Sequence, residues 1–315
     1  MGDRGGGRDL LRVKDPLAHL PWAAAENFLG LPAADVPGFE AAGVLILPVP
    51  YETTVSYMGG TRGGPRGVIH ASRYVELYDH ELDAEPYTIG VHTLPELHLT
   101  GAGPAEALGQ LREAMDALVA TGKFVIMLGG EHSLTGPPVQ AHVARQPNGR
   151  RLSVLQLDAH ADLRPEYEGS PHSHAAVMYK VHQDVDIVPV GIRSLTPEER
   201  QLMRDRNIPV IFGHELDDTT WMDRALGALG EDVYITIDVD YFDPSIMPST
   251  GTPEPGGGTW NPTVRFLQRV FRERNVVGCD VVELAPLPGL AAPDFLAAKL
   301  VYKLIGFHAR TQQSH

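Results

Sequence analysis

Short apolar runs alternate along this chain with segments in which apolar residues recur every three or four positions. The apolar runs predict buried β-strands at residues 43–50, 124–128, 152–157, 187–190, 209–212, 233–237 and 276–284. The second spacing predicts helices from Pro65 onward and at residues 104–120, 133–145, 196–206, 221–229, 261–274 and 293–307. Strands that alternate with helices predict an α/β fold of three layers, αβα, with a mostly parallel sheet covered on both faces.

The distribution of glycine and proline divides the chain into two parts. Residues 1–40 are rich in Gly, Pro and Ala and show little periodicity. They predict a loosely ordered N-terminal arm that packs on the body or on a neighbouring subunit. Residues 41–315 show no repeat and no linker, and we therefore expect a single domain there.

Potential metal ligands directly follow three of the predicted strands. They are His132, Asp158, His160, Asp162, Asp238 and Asp240. In the central motif, residues 158–162, the ligands lie at i, i+2 and i+4, so a strand that continued to its end would present all three on one side. We expect the three motifs to meet at one place in the fold.

The charge of this set has a physical consequence. Four carboxylates within a few ångströms of one another repel strongly and take up protons. Two divalent cations would balance four Asp beside two neutral His, and ions bridged at about 3.5 Å are a common hydrolytic arrangement. Oxygen and nitrogen ligands without thiolate favour Mn(II), although Zn, Co and Fe also occupy such sites. The sequence therefore predicts two Mn²⁺ per chain.

Each of these motifs also has an ordinary structural explanation. Asp158 or Asp162 would cap the N-terminus of a following helix. Asp238 and Asp240 would form part of a turn, and His132 would be a hydrogen-bonded histidine of the core. The occurrence of all three motifs in one chain favours the metal site.

The same motifs carry a resemblance to a known family. They read Gly-Gly-Glu-His-Ser at 129–133, Asp-Ala-His-Ala-Asp at 158–162 and Asp-Val-Asp-Tyr-Phe-Asp-Pro at 238–244, and a Gly- and Pro-rich segment follows at 248–257. In this order the chain resembles the ureohydrolase (arginase/agmatinase) family, over roughly residues 44–307. The resemblance implies an arginase-like fold and assembly into a homo-trimer or homo-hexamer.

The resemblance also implies the ligands of each metal ion. One ion would be held by His132, Asp158, Asp162 and Asp238, and the other by His160, Asp158, Asp238 and Asp240. Asp158 and Asp238 would bridge the two ions. The implied reaction is attack of a water, made acidic by two cations, on the carbon of a guanidinium group, which releases urea and an amine.

Three residues have implied catalytic roles. Glu283 matches the family's guanidinium-binding glutamate, and a carboxylate suits such a planar donor; its ordinary alternative is an ion pair at a strand end. Asp162 would carry a proton to the leaving nitrogen. His174 best matches the histidine that exchanges protons between the site and solvent, with His172 as the second choice. A surface histidine is the ordinary alternative.

The loops around the predicted site indicate which groups the substrate carries beyond its guanidinium. Thr252 and Glu254 are expected to line the mouth of the site. The loop after the central motif lacks the Asn- and Ser/Thr-rich residues that arginases carry there. Glu166 and Glu168 of this loop would receive a distal ammonium or form a solvated face, whereas Arg164 would pair with a carboxylate.

Residues 50–57 and Glu131 look like those of bacterial agmatinases. We therefore expect hydrolysis of agmatine to putrescine and urea, with N1-aminopropylagmatine or a guanidino acid as alternative substrates. Two other classes stay open. Single-zinc deacetylases of acetylated polyamines share the fold but lack counterparts of His132, Asp162 and Asp240, and a non-catalytic, metal-stabilised binding protein would keep the ligands without turnover.

The composition limits which binding partners and which cellular compartment are expected. The formal net charge of −14 argues against a nucleic-acid or anionic-membrane partner and suits a cationic small molecule. The single cysteine, Cys279, cannot form a disulfide within the chain, as is typical of a reducing compartment. No apolar stretch has the length of a membrane span and the N-terminus lacks an apolar signal region, so we expect a cytoplasmic protein.

Overall fold

Eight strands in one parallel sheet form the centre of the molecule in the computed structural model, which describes residues 26–147 and 150–313. The strands are β1 (Val44–Val49), β2 (Val91–Thr93), β3 (Phe124–Gly129), β4 (Ser153–Leu157), β5 (Asp186–Ile192), β6 (Ile211–Phe212), β7 (Asp232–Asp238) and β8 (Asn275–Val282). Their order is β2-β1-β3-β8-β7-β4-β5-β6, and every adjacent pair is parallel.

Helices cover the sheet on both sides. In the described part of the chain they are α1 (Gly64–Ser72), α2 (Pro104–Val119), α3 (Gly136–Val143), α4 (Val177–Asp184), α5 (Pro197–Asp205), α6 (Thr220–Ala228), α7 (Trp260–Glu273) and α8 (Ala292–Gln313). Helices α1, α6, α7 and α8 pack on one face and α2 to α5 on the other. None of these helices is long and apolar enough to cross a membrane. The predicted three-layer fold with a parallel sheet is confirmed.

β1 and β3 are apolar at every position because both faces of the sheet are covered there. β1 and β3 are buried along their whole length. Ile46 and Ile126 pack toward one helix layer, whereas Leu45 and Val125 pack toward the other. This is why the sequence shows continuous apolar runs rather than an alternation of apolar and polar residues.

Two elements have no counterpart in the sequence prediction, and one predicted helix begins at a different residue. β2 has three residues, and α4 has eight, of which Val177 and Val181 are β-branched and weak helix formers. The predicted helix 133–145 begins later, because a short 3-10 turn at His132–Thr135 precedes α3. Two prolines occupy the first turn of α3, where their missing N–H groups cost nothing.

The predicted N-terminal arm is described only from residue 26 onward, and residues 1–25 lie outside the described part. Phe28 and Leu29 are buried. The backbone N–H of Leu29 donates to Ser72 Oγ of α1 at 2.8 Å, and that of Phe28 donates to Thr93 Oγ1 of β2 at 2.9 Å. This end of the arm therefore packs on the body.

The register of the sheet brings distant motifs to one edge. Leu157 at the end of β4 pairs with Ile237 of β7, and Asp238 pairs with Val282 of β8. β3 lies on the other side of β8. The loops that follow β3, β4, β7 and β8 therefore start at the same level, at the carboxyl ends of four adjacent strands, where open α/β sheets bind ligands.

A buried ion pair fastens the last helix to the loop after α1. Lys303 of α8 has a side chain that is only 3% exposed, and its Nζ lies 2.8 Å from both carboxylate oxygens of Asp79. Glu81 is a second partner of the same ammonium. Although burial by itself would raise the pKa of Asp79, the hydrogen bond and charge of Lys303 lower it.

Replacing Lys303 with Met should destabilise the fold strongly. The change leaves the Asp79 carboxylate buried without its cation, which typically costs about 3–5 kcal/mol. The free energy of unfolding in urea would measure it. Arg151→Met is the matched control, because its 2.8 Å pair with Asp186 is about half exposed on both sides. Equal losses in the two variants would contradict a structural role for the buried pair.

Candidate metal centre

Two groups of side chains at the carboxyl edge of the sheet have the geometry of cation sites. His132, Asp158 and Asp238 form one group, and Asp158, His160 and Asp240 form the other. In each group the potential ligand atoms lie within 4.8 Å of one another. Asp158 belongs to both groups, so the two sites share a carboxylate.

One ring nitrogen of His132 points at three carboxylates. Its Nδ1 lies 3.0 Å from Asp162 Oδ2, 3.1 Å from Asp158 Oδ2 and 3.5 Å from Asp238 Oδ2. The nitrogen is buried and has no hydrogen-bond partner among the described residues. A buried imidazole nitrogen without a hydrogen-bond partner, facing three carboxylates, fits a cation that all of them could bind.

The second group is arranged around His160. Its Nδ1 lies 2.8 Å from Asp240 Oδ2 and 3.8 Å from Asp158 Oδ1. Its Nε2 lies 4.0 Å from Glu254 Oε1, toward the solvent side. Burial by itself would lower the pKa of His160, but the neighbouring carboxylates, Asp240 first, raise it to about 10.

Burial and mutual repulsion make the ionised form of these carboxylates unfavourable. Burial, followed by repulsion from Asp162 and Asp240, raises the pKa of Asp158 to about 7. Burial and the same kind of repulsion raise the pKa of Asp238 well above its ordinary value. Positive charge would relieve this cost, and the oxygen and nitrogen donors suit a divalent ion, so the residues present fit the predicted metal centre.

The central motif reaches this geometry through a turn, not through a continuing strand. β4 ends at Leu157, and the backbone N–H of His160 donates to Asp158 Oδ1 at 2.6 Å. Asp162 has a φ of +53°, in the left-handed region that Asp tolerates better than most residues. The expectation that a straight strand presents Asp158, His160 and Asp162 on one side is wrong, although the three do converge.

Glu283 directly follows β8 and faces the same space. It has a φ of +64°, and its backbone N–H donates to the carbonyl oxygen of Gly130 at 2.7 Å. The positive φ is why the strand stops at Val282, two residues before the predicted end. Glu283 Oε1 accepts the backbone N–H of His132 at 2.7 Å, and burial, with repulsion from Glu131 and Asp240, raises the Glu283 pKa well above its usual range.

A cavity of about 240 Å³ opens above these groups. Asp162, Asp238, Asp240, His160 and Glu283 lie among its lining residues, which also include Thr252 and Glu254 as predicted for the mouth. Glu166 and Glu168 are exposed and do not line this cavity. From their loop, Arg164 and Tyr167 face it instead.

The two candidate histidines of the proton pathway lie in different places. His174 lines the cavity, and its backbone N–H donates to Thr54 Oγ1 at 3.0 Å. His172 lines a separate cavity, where its Nδ1 lies 3.0 Å from Lys180 Nζ. Burial, together with the Lys180 charge, lowers the pKa of His172.

Glu131, a residue of the first motif to which the sequence prediction assigned no role, holds two segments of the site together. We call such a residue an anchor. The buried carboxylate of Glu131 accepts the backbone N–H groups of Thr53 and Thr54 at 2.5 and 2.7 Å. It also accepts the Thr54 and Ser133 hydroxyl groups at 2.8 and 2.5 Å. Glu131 thus ties the loop after β1 to the turn that carries His132.

A second anchor, Arg193, was missed altogether. Its guanidinium donates to the carbonyl oxygens of Asp240 at 2.7 Å and Glu254 at 2.9 Å, and to that of Pro255 at 3.1 Å. It therefore holds the backbone of Asp240, a potential metal ligand, next to the backbone of Glu254 at the mouth of the cavity. The one signal in the sequence is an arginine directly after a buried strand, where a side chain reaches the carboxyl edge.

Comparisons with known proteins agree with this geometry. The model of the arginase family matches residues 42–306. The N(1)-aminopropylagmatine ureohydrolase of Synechocystis is 38% identical over 286 residues, which cover 88% of this chain and 93% of the relative. The agmatinase of Pyrococcus horikoshii is 33% identical over 293 residues, with 89% and 96% covered.

A solved structure gives the same result. The agmatine ureohydrolase of Thermoplasma volcanium superposes with a TM-score of 0.81 at 27% identity, covering 92% of this chain and 97% of that one. The expectation of a hydrolase that acts on guanidino groups is thereby confirmed at the level of the family. The extent of the matches, in sequence and in fold, shows that this chain belongs to the arginase family.

Proposed function

We propose that this protein is a binuclear manganese amidinohydrolase that releases urea from a guanidino amine. The observation that carries the proposal is the pair of His/Asp groups that share Asp158, beside Glu283, in one cavity. N1-aminopropylagmatine is our first choice of substrate and agmatine the second. This order reverses the expectation from the motifs, because the relative named for the longer amine is the more similar to this chain.

The ligand sets that we propose for the two ions are those implied by the motifs. They are His132, Asp158, Asp162 and Asp238 for one ion, and His160, Asp158, Asp238 and Asp240 for the other. Mn²⁺ is our choice because the donors are hard oxygens and imidazoles without thiolate. When bound, such a pair lowers the pKa of water and supplies a strong nucleophile near neutral pH.

Glu283 would bind and orient the guanidinium group. Its Oε1 accepts the backbone N–H of His132 at 2.7 Å, which restrains the carboxylate. Its second oxygen, Oε2, would lie 4.0 Å from a Cβ added at Gly251, and both residues line the cavity. A charge-assisted hydrogen bond from the guanidinium to this oxygen would hold the reacting carbon above the ligand cluster.

Asp162 and His174 would move protons. Asp162 lies on the cavity wall beside His132, where it could pass a proton to the leaving nitrogen. His174 lies on the same wall, whereas His172 is occupied by Lys180 in another cavity. These placements support His174 as the group that exchanges protons with solvent.

The mouth of the cavity suits a cationic tail better than a carboxylate. Glu254 presents a side chain that is 37% exposed there, close to His160. The one cation of the neighbouring loop, Arg164, stacks over Tyr167 at 4.8 Å and lies 3.8 Å from Glu199. It is therefore partly neutralised, which argues against a guanidino acid.

The remaining alternatives find less support. A deacetylase with a single zinc ion would need only one of the two groups, yet His132, Asp162 and Asp240 all lie in the cluster. The cluster equally argues against a binding protein that kept metal for stability alone, because Glu283 and His174 share the cavity with it. A cytoplasmic homo-trimer or homo-hexamer is proposed on the family resemblance.

Urea release is the direct test of the substrate. The protein loaded with Mn²⁺ should release urea from N1-aminopropylagmatine most efficiently, from agmatine less so, and not from arginine or guanidinobutyrate. Glu283→Gln should keep two ions and lose on the order of 10²-fold or more in kcat/KM, because the buried anion that holds the guanidinium is gone. A wild-type protein that binds Mn²⁺ and releases urea from none of the four would refute the proposal.

The two histidines offer a matched pair of variants. His174→Asn should lower kcat about 10²- to 10⁴-fold, the usual worth of a positioned proton-transfer group, with little change in KM. His172→Asn, two residues away but in the other cavity, should retain nearly full activity. Steady-state urea release measures both, and a loss confined to the His172 variant would contradict the assignment.

Removal of metal should destabilise the protein. The clustered Asp residues then repel one another without counterions, and binding of each ion at a free concentration a thousandfold above its Kd adds about 4 kcal/mol to stability. The melting temperature should therefore fall by several degrees after treatment with a chelator and recover on adding Mn²⁺. Identical melting curves would speak against a metal centre built from these residues.

A further inference from the structure

A chain of buried hydrogen bonds continues from His132 into the core, away from the cavity. His132 Nε2 lies 2.9 Å from Thr236 Oγ1, and Thr236 Oγ1 lies 2.7 Å from Asp280 Oδ1. The hydroxyl group of Tyr234 lies 2.8 Å from Asp280 Oδ2. All four side chains are at most 1% exposed, so no solvent competes for these contacts.

The chemistry of the groups fixes the direction of these hydrogen bonds. Thr236 and Tyr234 both donate to the Asp280 carboxylate, which in its ionised form has only acceptor atoms. Thr236 has a single hydroxyl proton, and it donates this proton to Asp280. Its oxygen can then only accept, both from His132 Nε2 and from the Thr135 hydroxyl at 3.1 Å. The proton of the neutral imidazole is therefore on Nε2.

This direction leaves the lone pair of His132 on Nδ1. That nitrogen is the buried atom that lacks a hydrogen-bond partner among the described residues and faces three carboxylates. The other histidine of the cluster differs, since the Nε2 of His160 faces the cavity and not a buried acceptor. The two imidazoles are thus oriented by different means.

We propose that Asp280, acting through Thr236, is a positioning residue that holds His132 in the tautomer and orientation that bind one of the two metal ions. Such partners of a ligating histidine raise its basicity and fix its ring, and their loss typically weakens metal binding about 10- to 100-fold. The inference rests on the proposed function in one respect only, namely that the cluster binds two ions.

Titration with Mn²⁺ alone tests the proposal without any turnover. Thr236→Val keeps the shape of the side chain and removes the hydroxyl, so the affinity for one ion should fall about 10- to 100-fold while the other is retained. Thr236→Ser keeps the hydroxyl and should bind both ions as the wild type does. Tyr234→Phe is the matched control, because it removes a hydrogen bond from Asp280 and leaves the link to His132.

Metal content after dialysis at fixed free Mn²⁺ gives the affinity of each site, and melting at saturating Mn²⁺ checks the fold. Unchanged binding in Thr236→Val would overturn the proposal, as would an equal loss of both ions or an equal loss in Tyr234→Phe. If Thr236→Val does not fold, Asp280→Asn decides: weaker binding of one ion supports the proposal and wild-type binding overturns it. Failure of the wild type itself to bind two ions would refute the proposed function instead.

Discussion

The proposed site depends on keeping several carboxylates close together in a place where water cannot screen them. Asp158, Asp238 and Asp240 are almost fully buried, and their mutual repulsion adds to the cost of burial. A cluster of this kind is stable only if positive charge balances it. The sheet makes the cluster possible, because β4 and β7 are adjacent in space although some 75 residues separate them in the chain.

Around the cluster, the backbone is held in conformations that the chain would not adopt by itself. Asp162 and Glu283 both have positive φ angles, a strain that costs on the order of 1–3 kcal/mol at each site. Buried hydrogen bonds offset it: the Glu283 N–H donates to Gly130, and its carboxylate accepts from His132. The strain thus lies where the side chains must point into the cavity, and the surrounding contacts are strong enough to maintain it.

A feature of the site could be predicted from the sequence only where neighbouring residues in the chain determine it. The residues of the cluster were predictable because each follows an apolar run, and a parallel sheet brings the ends of such runs to one edge. The turn that follows Leu157 was not, since it depends on contacts of Ala159 with Asp240, over 80 residues away. The same holds for Arg193, whose partners are backbone carbonyls that no residue pattern reveals. Glu166 and Glu168 carry the charge that a distal ammonium would need, but both are exposed and neither lines the cavity.

These differences separate what the fold determines from what the loops determine. The floor of the site is built from strand ends whose positions are set by the register of the sheet, so its chemistry follows from the fold of the family. The mouth is built from the loops at 52–58, 164–174 and 251–254. Two anchors join these loops to the floor, the buried Glu131 to the first and the half-buried Arg193 to the last. On the proposed function, a change in loop sequence can therefore alter which part of the substrate beyond the guanidino group is accepted while the anchors keep Glu283 and the cluster in place, so that substrate choice and chemistry can vary independently.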